Sequence, residues 1–310
     1  MNPSKEPTAG GMTNAELTTD AAGLDDPVKL SPGITAVVLT MNGERLLDKC
    51  LASLRFCREI LAVDSGSADQ TEEICRIHGA RFVYNAWQGF AAQFTFAQSL
   101  VKTEWFLVLD QDEICPPALA ALIQQAVDSG NADQAGINGF YLGRVSWYFD
   151  RFMRHSGAYP DFILRLYRTG FVEFSQDAHI HYHVQGKTSR LAAPDAEIIH
   201  YPYESFAHQW AKLNVYAQQG ADHMRARGKK GGIWKAIGHS LGRFLRHFVI
   251  KRGFLDGRAG FLYAMHGAMY VFSKYIRGLE STWGSPFDYE KQAGAITEPK
   301  GEEKSKGKSA

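Results

Sequence analysis

What this chain most plainly lacks is charge of one sign. Its 34 Lys and Arg stand against 33 Asp and Glu, a formal net charge of +1. No global field selects a polyanion, so nucleic acid is not an expected partner and any charge argument falls to local clusters. Cysteine is scarce too: Cys50, Cys57, Cys75 and Cys115 form no CxxC pair and no metal-ligand spacing. They read as reduced and mostly buried, which excludes a disulfide framework. No apolar run reaches the roughly 20 residues that a spanning helix needs. Residues 1–31, rich in Pro, Gly, Thr and Asp, hold no apolar stretch of a secretory signal. The two commonest phosphate loops are also missing: no GxGxxG follows the first strand-like run, and GxxxxGK[ST] occurs nowhere.

What remains is a chain of 310 residues with 45% hydrophobic content, enough for one sizeable core and an appendage. Four strand-like runs, Thr35 to Thr40, Glu59 to Asp64, Arg81 to Tyr84 and Trp105 to Asp110, alternate with helix-like segments. Leu46, Leu47, Cys50, Leu51 and Leu54 recur at helical spacing, and Asp69 with Glu72 forms a capping-box pattern before the next helix. Phe90 to Lys102 supplies a third helix. Alternation of this kind predicts an α/β fold with a mostly parallel central sheet and right-handed crossovers. The fourth strand, WFLVLDQDE, stops abruptly at Asp110-Gln111-Asp112-Glu113. Carboxylates there stand at the carboxyl edge of the sheet, where open α/β folds bind ligands. Two aspartates one residue apart suit a hard divalent cation that bridges a substrate's phosphates, although a solvated acidic loop would look the same in isolation.

Read in order, VVLTMN, VDSGSADQT and LDQDE resemble the loops of family 2 glycosyltransferases of the GT-A fold, a Rossmann-like nucleotide-diphospho-sugar transferase architecture. WQGFAAQ (Trp87 to Gln93), HSGAYPDFILRLYR (His155 to Arg168), KLNVYA (Lys212 to Ala217) and KRGFLDGRAGF (Lys251 to Phe261) are similar to one branch of that family, the lipopolysaccharide core β-1,4-glucosyltransferases and their relatives. The resemblance runs from about Gly33 to about Glu280. It implies an inverting, metal-dependent hexosyltransferase that moves a sugar, glucose in that branch, from a UDP-sugar to a glycolipid or oligosaccharide acceptor of the bacterial surface. Asp64 matches the aspartate that binds the nucleotide base, with Thr40, Asn42, Glu44, Ser65, Gly66 and Asp110 around the nucleotide. Asp110 and Asp112 match the metal-binding DxD, for Mg²⁺ or Mn²⁺. Asp161 and Arg165 match the PDxxxRL pattern on the acceptor side, although Asp161 also reads as a turn-capping residue.

The general base is where the chain departs from the pattern. Relatives carry a His-Glu pair shortly before Gly-Lys; here His179 is followed by Ile180, which cannot accept a proton. The role then falls to Asp177, His181 or His179, in that order. His179, His181 and His183 alternate as on one strand face, so they line the acceptor cleft or, less simply, converge on zinc. Asn42 is separated from Glu44 by Gly43, and Gln93 is followed by Phe94 and Thr95 where relatives have a basic residue and Asn. Arg144, Arg165 and Arg190 are candidates for the displaced diphosphate contact, with a surface ion pair as the alternative for each. Trp147, Tyr148, Phe149 and Phe152 form either a sugar-stacking surface or a hydrophobic seam.

The expected organisation is a disordered segment 1–31, a GT-A domain 32–227, an amphipathic helical region 228–280 and a disordered tail 281–310. Between Ile233 and Ile250 an apolar stripe is interleaved with Lys235, Arg243, Arg246 and His247. Phe261 to Phe272 is apolar but short. Such a pair of helices either packs on its own domain or lies on an anionic membrane surface. With the resemblance, that implies a cytoplasmic enzyme peripheral to the cytoplasmic face of the inner membrane. Two other readings stay open: a polyprenyl-phosphate sugar transferase, and a member that binds nucleotide sugar or glycan without turnover, motivated by Ile180.

Overall fold

The computed structural model describes residues 31–176 and 180–280. The two ends expected to be disordered, and Asp177 to His179, lie outside the described residues apart from Ser31, where the first strand begins. The strands β1 (Ser31–Thr40), β2 (Glu59–Asp64), β3 (Arg81–Tyr84) and β4 (Thr103–Asp110) are parallel, in the order β3-β2-β1-β4. Between them run α1 (Leu47–Ser53), α2 (Thr71–Ile77) and α3 (Phe90–Leu100). The strands are continuous apolar runs because both faces are covered. Ile34, Ala36, Val38, Trp105, Leu107 and Leu109 point to one side with α1, while Val37, Phe106 and Val108 point to α3 on the other.

After β4 the chain reverses into the two-residue strand β5 (Glu113–Ile114), then α4 (Pro117–Asp128) and α5 (Asn131–Ala135). The sheet continues with β6 (Ile137–Tyr148), the short β7 (Arg151–Phe152) and β8 (Asp161–Arg168). β8 is antiparallel to both neighbours and sits between β4 and β6, with Leu166 opposite Leu107 and Asp161 opposite Arg144. A separate hairpin, β9 (Val172–Gln176) and β10 (Ile180–Val184), lays Phe174 and Tyr182 against Phe94 of α3 and Tyr167 of β8. β11 (Lys187–Leu191) and β12 (Glu197–His200) both pair parallel to β6, and β12 closes onto β5. Cys50, Cys75 and Cys115 are buried and Cys57 partly so, all four as free thiols. Burial pushes the Cys75 thiol up to about 11 and that of Cys115 to about 12.

The remaining helices are α6 (Phe206–Ala226), α7 (Ile233–Leu245) and α8 (Gly257–Arg277). α7 runs on through a π turn at Arg246–Ile250, and a 3-10 turn, Gly253–Asp256, leads into α8. α7 and α8 meet through small side chains, with Ala236, Ala259, Ala264 and Ala268 buried. At Gly260 the approach leaves no room at all: a Cβ would lie 1.8 Å from the Gly253 carbonyl oxygen.

Asp256 fastens this helical region to the sheet. Its buried carboxylate accepts hydrogen bonds from the backbone N–H of Arg154 (3.2 Å) and of His155 (3.0 Å), and from Ser156 Oγ (2.9 Å). Asp256→Ala leaves those donors unsatisfied in the interior, at a cost of about 2–4 kcal/mol. Urea unfolding should register that loss, and a change below about 0.5 kcal/mol would remove Asp256 as the fastening.

Candidate active site

The carboxyl ends of β1, β2 and β4 form one acidic, loop-built edge. Asp64 ends β2 and is 2% exposed. Its Oδ2 accepts from the Gly66 and Ser67 N–H groups, both at 2.8 Å. Its Oδ1 accepts from Thr40 Oγ1 (2.9 Å) and Ser67 Oγ (2.5 Å). Burial works to raise the Asp64 pKa, but these hydrogen bonds outweigh it and hold the carboxyl below its ordinary range. Four donors fill a carboxylate's acceptor sites. A nucleobase N–H reaches Asp64 only by displacing one of the hydroxyls, so in this arrangement the side chain builds the loop.

The other residues expected around the nucleotide are likewise joined to one another. Asn42 N–H donates to Ser67 Oγ (2.8 Å), and Asn42 Oδ1 accepts from Ala68 N–H (3.0 Å). The Glu44 carboxylate accepts from Gln70 N–H at the start of α2 (3.3 Å). Ser65 Oγ accepts from Gln93 Nε2 (3.1 Å), and Gln93 is fully buried. The inserted Gly43 has a steric reason. A Cβ there would lie 2.6 Å from Gln111 Oε1, and Gln111 bonds the Met41 N–H (2.9 Å) and carbonyl (3.0 Å). Gly43 thus lets the middle residue of Asp110-Gln111-Asp112 clamp the first loop.

Beneath that loop runs a buried chain of charges. Arg165, 6% exposed, donates through Nη2 to Asp110 Oδ2 (2.5 Å) and to Glu113 Oε1 (3.1 Å). Glu113, wholly buried, also accepts from Arg144 Nη1 (3.0 Å) and from the Asp110 N–H (3.1 Å). Arg144 continues to Asp161 Oδ2 (2.9 Å). Burial disfavours the Asp110 carboxylate, yet the Arg165 charge and hydrogen bonds outweigh it and its pKa falls. For Glu113 burial wins and the pKa rises. Arg165, expected on the acceptor side, has its guanidinium bonded to two carboxylates, Asp110 and Glu113. Arg144 is committed in the same way, and Arg190 lies on β11 with its guanidinium 4.9 Å over the Phe162 ring.

Asp110 and Asp112 both reach the surface, with side chains 39% and 21% exposed. Burial, then the Asp110 charge, raises the Asp112 pKa. Its Oδ1 lies 3.6 Å from His200 Nε2, at the end of β12. Burial, assisted by the Arg144 charge, pushes His200 down to about 3, so the imidazole is neutral at neutral pH. Its Nδ1 is 3.0 Å from Ser146 Oγ, and a hydroxyl serves either ring tautomer. Lys212 and Arg45 provide the positive charges that reach Asp112. Lys212 donates to the Pro202 carbonyl (3.1 Å), and Arg45 to that of Tyr201 (2.7 Å). His200 had no sequence signal of its own, because strand pairing alone brings it to Asp112 across 88 residues of chain.

A cavity of about 310 Å³ opens beside this pair, lined by Asp161, Arg144, Ser146, His200, Tyr148 and Tyr203. Asp161 thus faces the same space as His200. Of the residues expected to supply the general base, Asp177 and His179 lie outside the described residues. His181 is on β10, and its side chain lies outside them too. Trp147 and Phe152 meet edge to face at 5.0 Å, and Tyr148 packs on Tyr203 and Tyr263.

Comparison with known proteins finds glycosyltransferases similar to this chain. The lipopolysaccharide core biosynthesis glycosyltransferase LpsC of Rhizobium meliloti is 28% identical over 77% of this chain and 89% of its own length. An uncharacterized glycosyltransferase of Rickettsia bellii is 25% identical over 80% of this chain and 85% of its own. Among solved structures, residues 1–349 of S. aureus TarS superpose with a TM-score of 0.40 at 12% identity, over 84% of this chain and 91% of that one. Residues 35–186 match the model of glycosyl transferase family 2, and that stretch of the chain is a glycosyltransferase domain of the family.

Proposed function

We propose that the chain transfers a hexose from a UDP-sugar to a bacterial surface glycolipid of the lipopolysaccharide core type, with inversion at the anomeric carbon. The observation that carries this reading is the Asp112–His200 pair at the sheet's carboxyl edge, opening onto the cavity that holds Asp161. A divalent cation fits the pair. Asp112 is a carboxylate whose charge is disfavoured by its surroundings, and the neutral imidazole has a nitrogen lone pair to give. When bound, the ion would neutralise charge on the departing diphosphate as a Lewis acid. One carboxylate and one imidazole suit Mn²⁺ better than Mg²⁺, which prefers an all-oxygen shell. Asp110, spent on Arg165, then acts by holding the loop and by setting the field at Asp112.

Lys212 and Arg45 stand where they can share the diphosphate charge, replacing the cation that relatives carry after Gln93. Asp161 is the carboxylate beside His200 in the acceptor cavity, and the reading gives it the acceptor hydroxyl and its proton. Asp177, His181 and His179 remain the bases that sequence position suggests. Asp161→Asn beside Asp177→Asn separates the two assignments: the one that abolishes turnover while sparing UDP binding is the base.

The same reading places the protein on an anionic membrane surface. No described helix is long and apolar enough to cross a membrane. Yet the outer side of α7 and the turns after it expose Trp234 (82%), Leu241 (58%) and Ile250 (73%). From Gly228 to Leu255 the sequence contains Lys229, Lys230, Lys235, Arg243, Arg246, Lys251 and Arg252, and no Asp or Glu. Apolar anchors among unopposed cations match a negatively charged leaflet.

Two tests follow. With purified core glycolipid as acceptor, UDP release should be greater with Mn²⁺ than with Mg²⁺. It should fall at least about a hundredfold in Asp112→Asn and roughly ten- to a hundredfold in His200→Gln. Release that ignores both substitutions would sink the assignment. Separately, the protein should float with vesicles rich in phosphatidylglycerol but not with neutral ones, and Trp234→Ser with Leu241→Ser should abolish flotation. Equal flotation of wild type and the double variant would remove α7 as the docking element.

A further inference from the structure

A second, larger cavity lies away from Asp112. About 1000 Å³ in volume, it lies between α6, α7 with its π turn, and α8. Tyr148, Tyr203 and Tyr263 belong to its wall and also to that of the smaller cavity holding Asp161 and His200, so the two spaces adjoin. Three features of the larger one point to a ligand.

The first is a set of polar atoms without partners. His247 is 8% exposed, and its Nδ1 lies 2.6 Å from the Ser156 carbonyl oxygen. A carbonyl only accepts, so Nδ1 carries the proton. Burial lowers the His247 pKa, which leaves the ring neutral and Nε2 an acceptor. That Nε2 has no partner among the described residues, and neither do His266 Nε2 or Tyr148 Oη. These atoms lie just behind the cavity wall with almost no accessible surface, so a ligand meets that polarity only as the wall side chains move.

Aromatic rings are the second feature. Tyr203, Tyr216, Tyr263 and Tyr270 line the space, and such rings offer apolar faces with a polar edge. The third is charge. Arg243 on α7 and Lys274 on α8 both line the cavity, and neither has an ion-pair partner among the described residues. Lys274 Nζ rests 4.9 Å from the Tyr275 ring centroid, and burial together with the Arg243 charge lowers its pKa. Asp222, the one acidic residue of the wall, is taken by Arg225 and by Gln218 Nε2 (3.1 Å). Two like charges facing one half-open cavity attract an anion.

We propose that this cavity is a second carbohydrate site that holds an anionic sugar of the acceptor, while the hydroxyl to be glycosylated lies in the adjoining cavity at Asp161 and His200. Arg243 and Lys274 bind the negative group, and the tyrosines pack on the ring faces. The inference rests on the transferase reading and adds to it a charge requirement on the acceptor. Phosphate and carboxylate substituents share the chemistry.

Calorimetric titration of the full chain tests this without turnover. The probe is delipidated core oligosaccharide in three forms: native, phosphatase-treated and carboxyl-reduced. Native oligosaccharide should bind wild type, and Arg243→Gln or Lys274→Gln should each weaken it about tenfold. Arg243→Lys should stay within about threefold, and UDP affinity within about twofold, in every variant. Whichever treatment drops wild type to the variants' level names the anionic group. Native and both treated forms binding alike, or variants equal to wild type, would overturn the charge assignment. Absence of oligosaccharide binding with UDP binding intact would overturn the second site and spare the transferase reading. Loss of UDP binding in wild type would strike at that reading itself.

Discussion

Arg165 is the residue on which the site depends. Its guanidinium lies under the end of β4, bonded to Asp110 and Glu113 together, where water does not reach. Glu113 is wholly buried and Asp110 partly exposed, and removal of the buried cation that both share costs about 3–5 kcal/mol. With Arg165 in place Asp110 stays ionised, the turn after β4 is fixed, and Gln111 reaches the first loop while Asp112 faces His200. Arg144 extends the chain to Asp161, so the sheet edge and the cavity beside His200 share one electrostatic framework.

That framework was only partly legible in the sequence. The parallel half of the sheet and its three helices follow local periodicity, and the structure forms them within a few residues of the expected limits. The acidic turn was legible as well, since an apolar strand ending in carboxylates is a local signal. Arg165 was visible as part of PDxxxRL but was read onto the acceptor side. Its true partners are more than fifty residues away, and only the antiparallel insertion of β8 between β4 and β6 brings them together. His200 was missed for the same reason. At Asp64 the motif marks the loop, but whether a carboxylate is free or saturated by Thr40 and Ser67 depends on the folded hydrogen-bond set.

The helical region had two sequence readings, packing on its own domain or lying on a membrane, and the structure shows it packed on its own domain with apolar side chains left exposed on its outer side. Toward the sheet, the His247 and Asp256 hydrogen bonds hold it in place. Outward, Trp234, Leu241 and Ile250 are exposed. The tyrosine-lined cavity lies on the inner side, next to the site where transfer is proposed. A glycolipid approaching from an anionic leaflet would therefore meet cations on both sides of α7, at the surface and within the cavity.

The central claim is that Asp112 and His200 together hold the divalent cation. Electron spin echo modulation of Mn²⁺ bound with UDP tests it most directly, because imidazole nitrogen on the metal gives its own modulation pattern. The account predicts ¹⁴N modulation in wild type that shifts on ¹⁵N-histidine labelling and vanishes in His200→Gln. Bound Mn²⁺ with no histidine nitrogen in its first shell would contradict it.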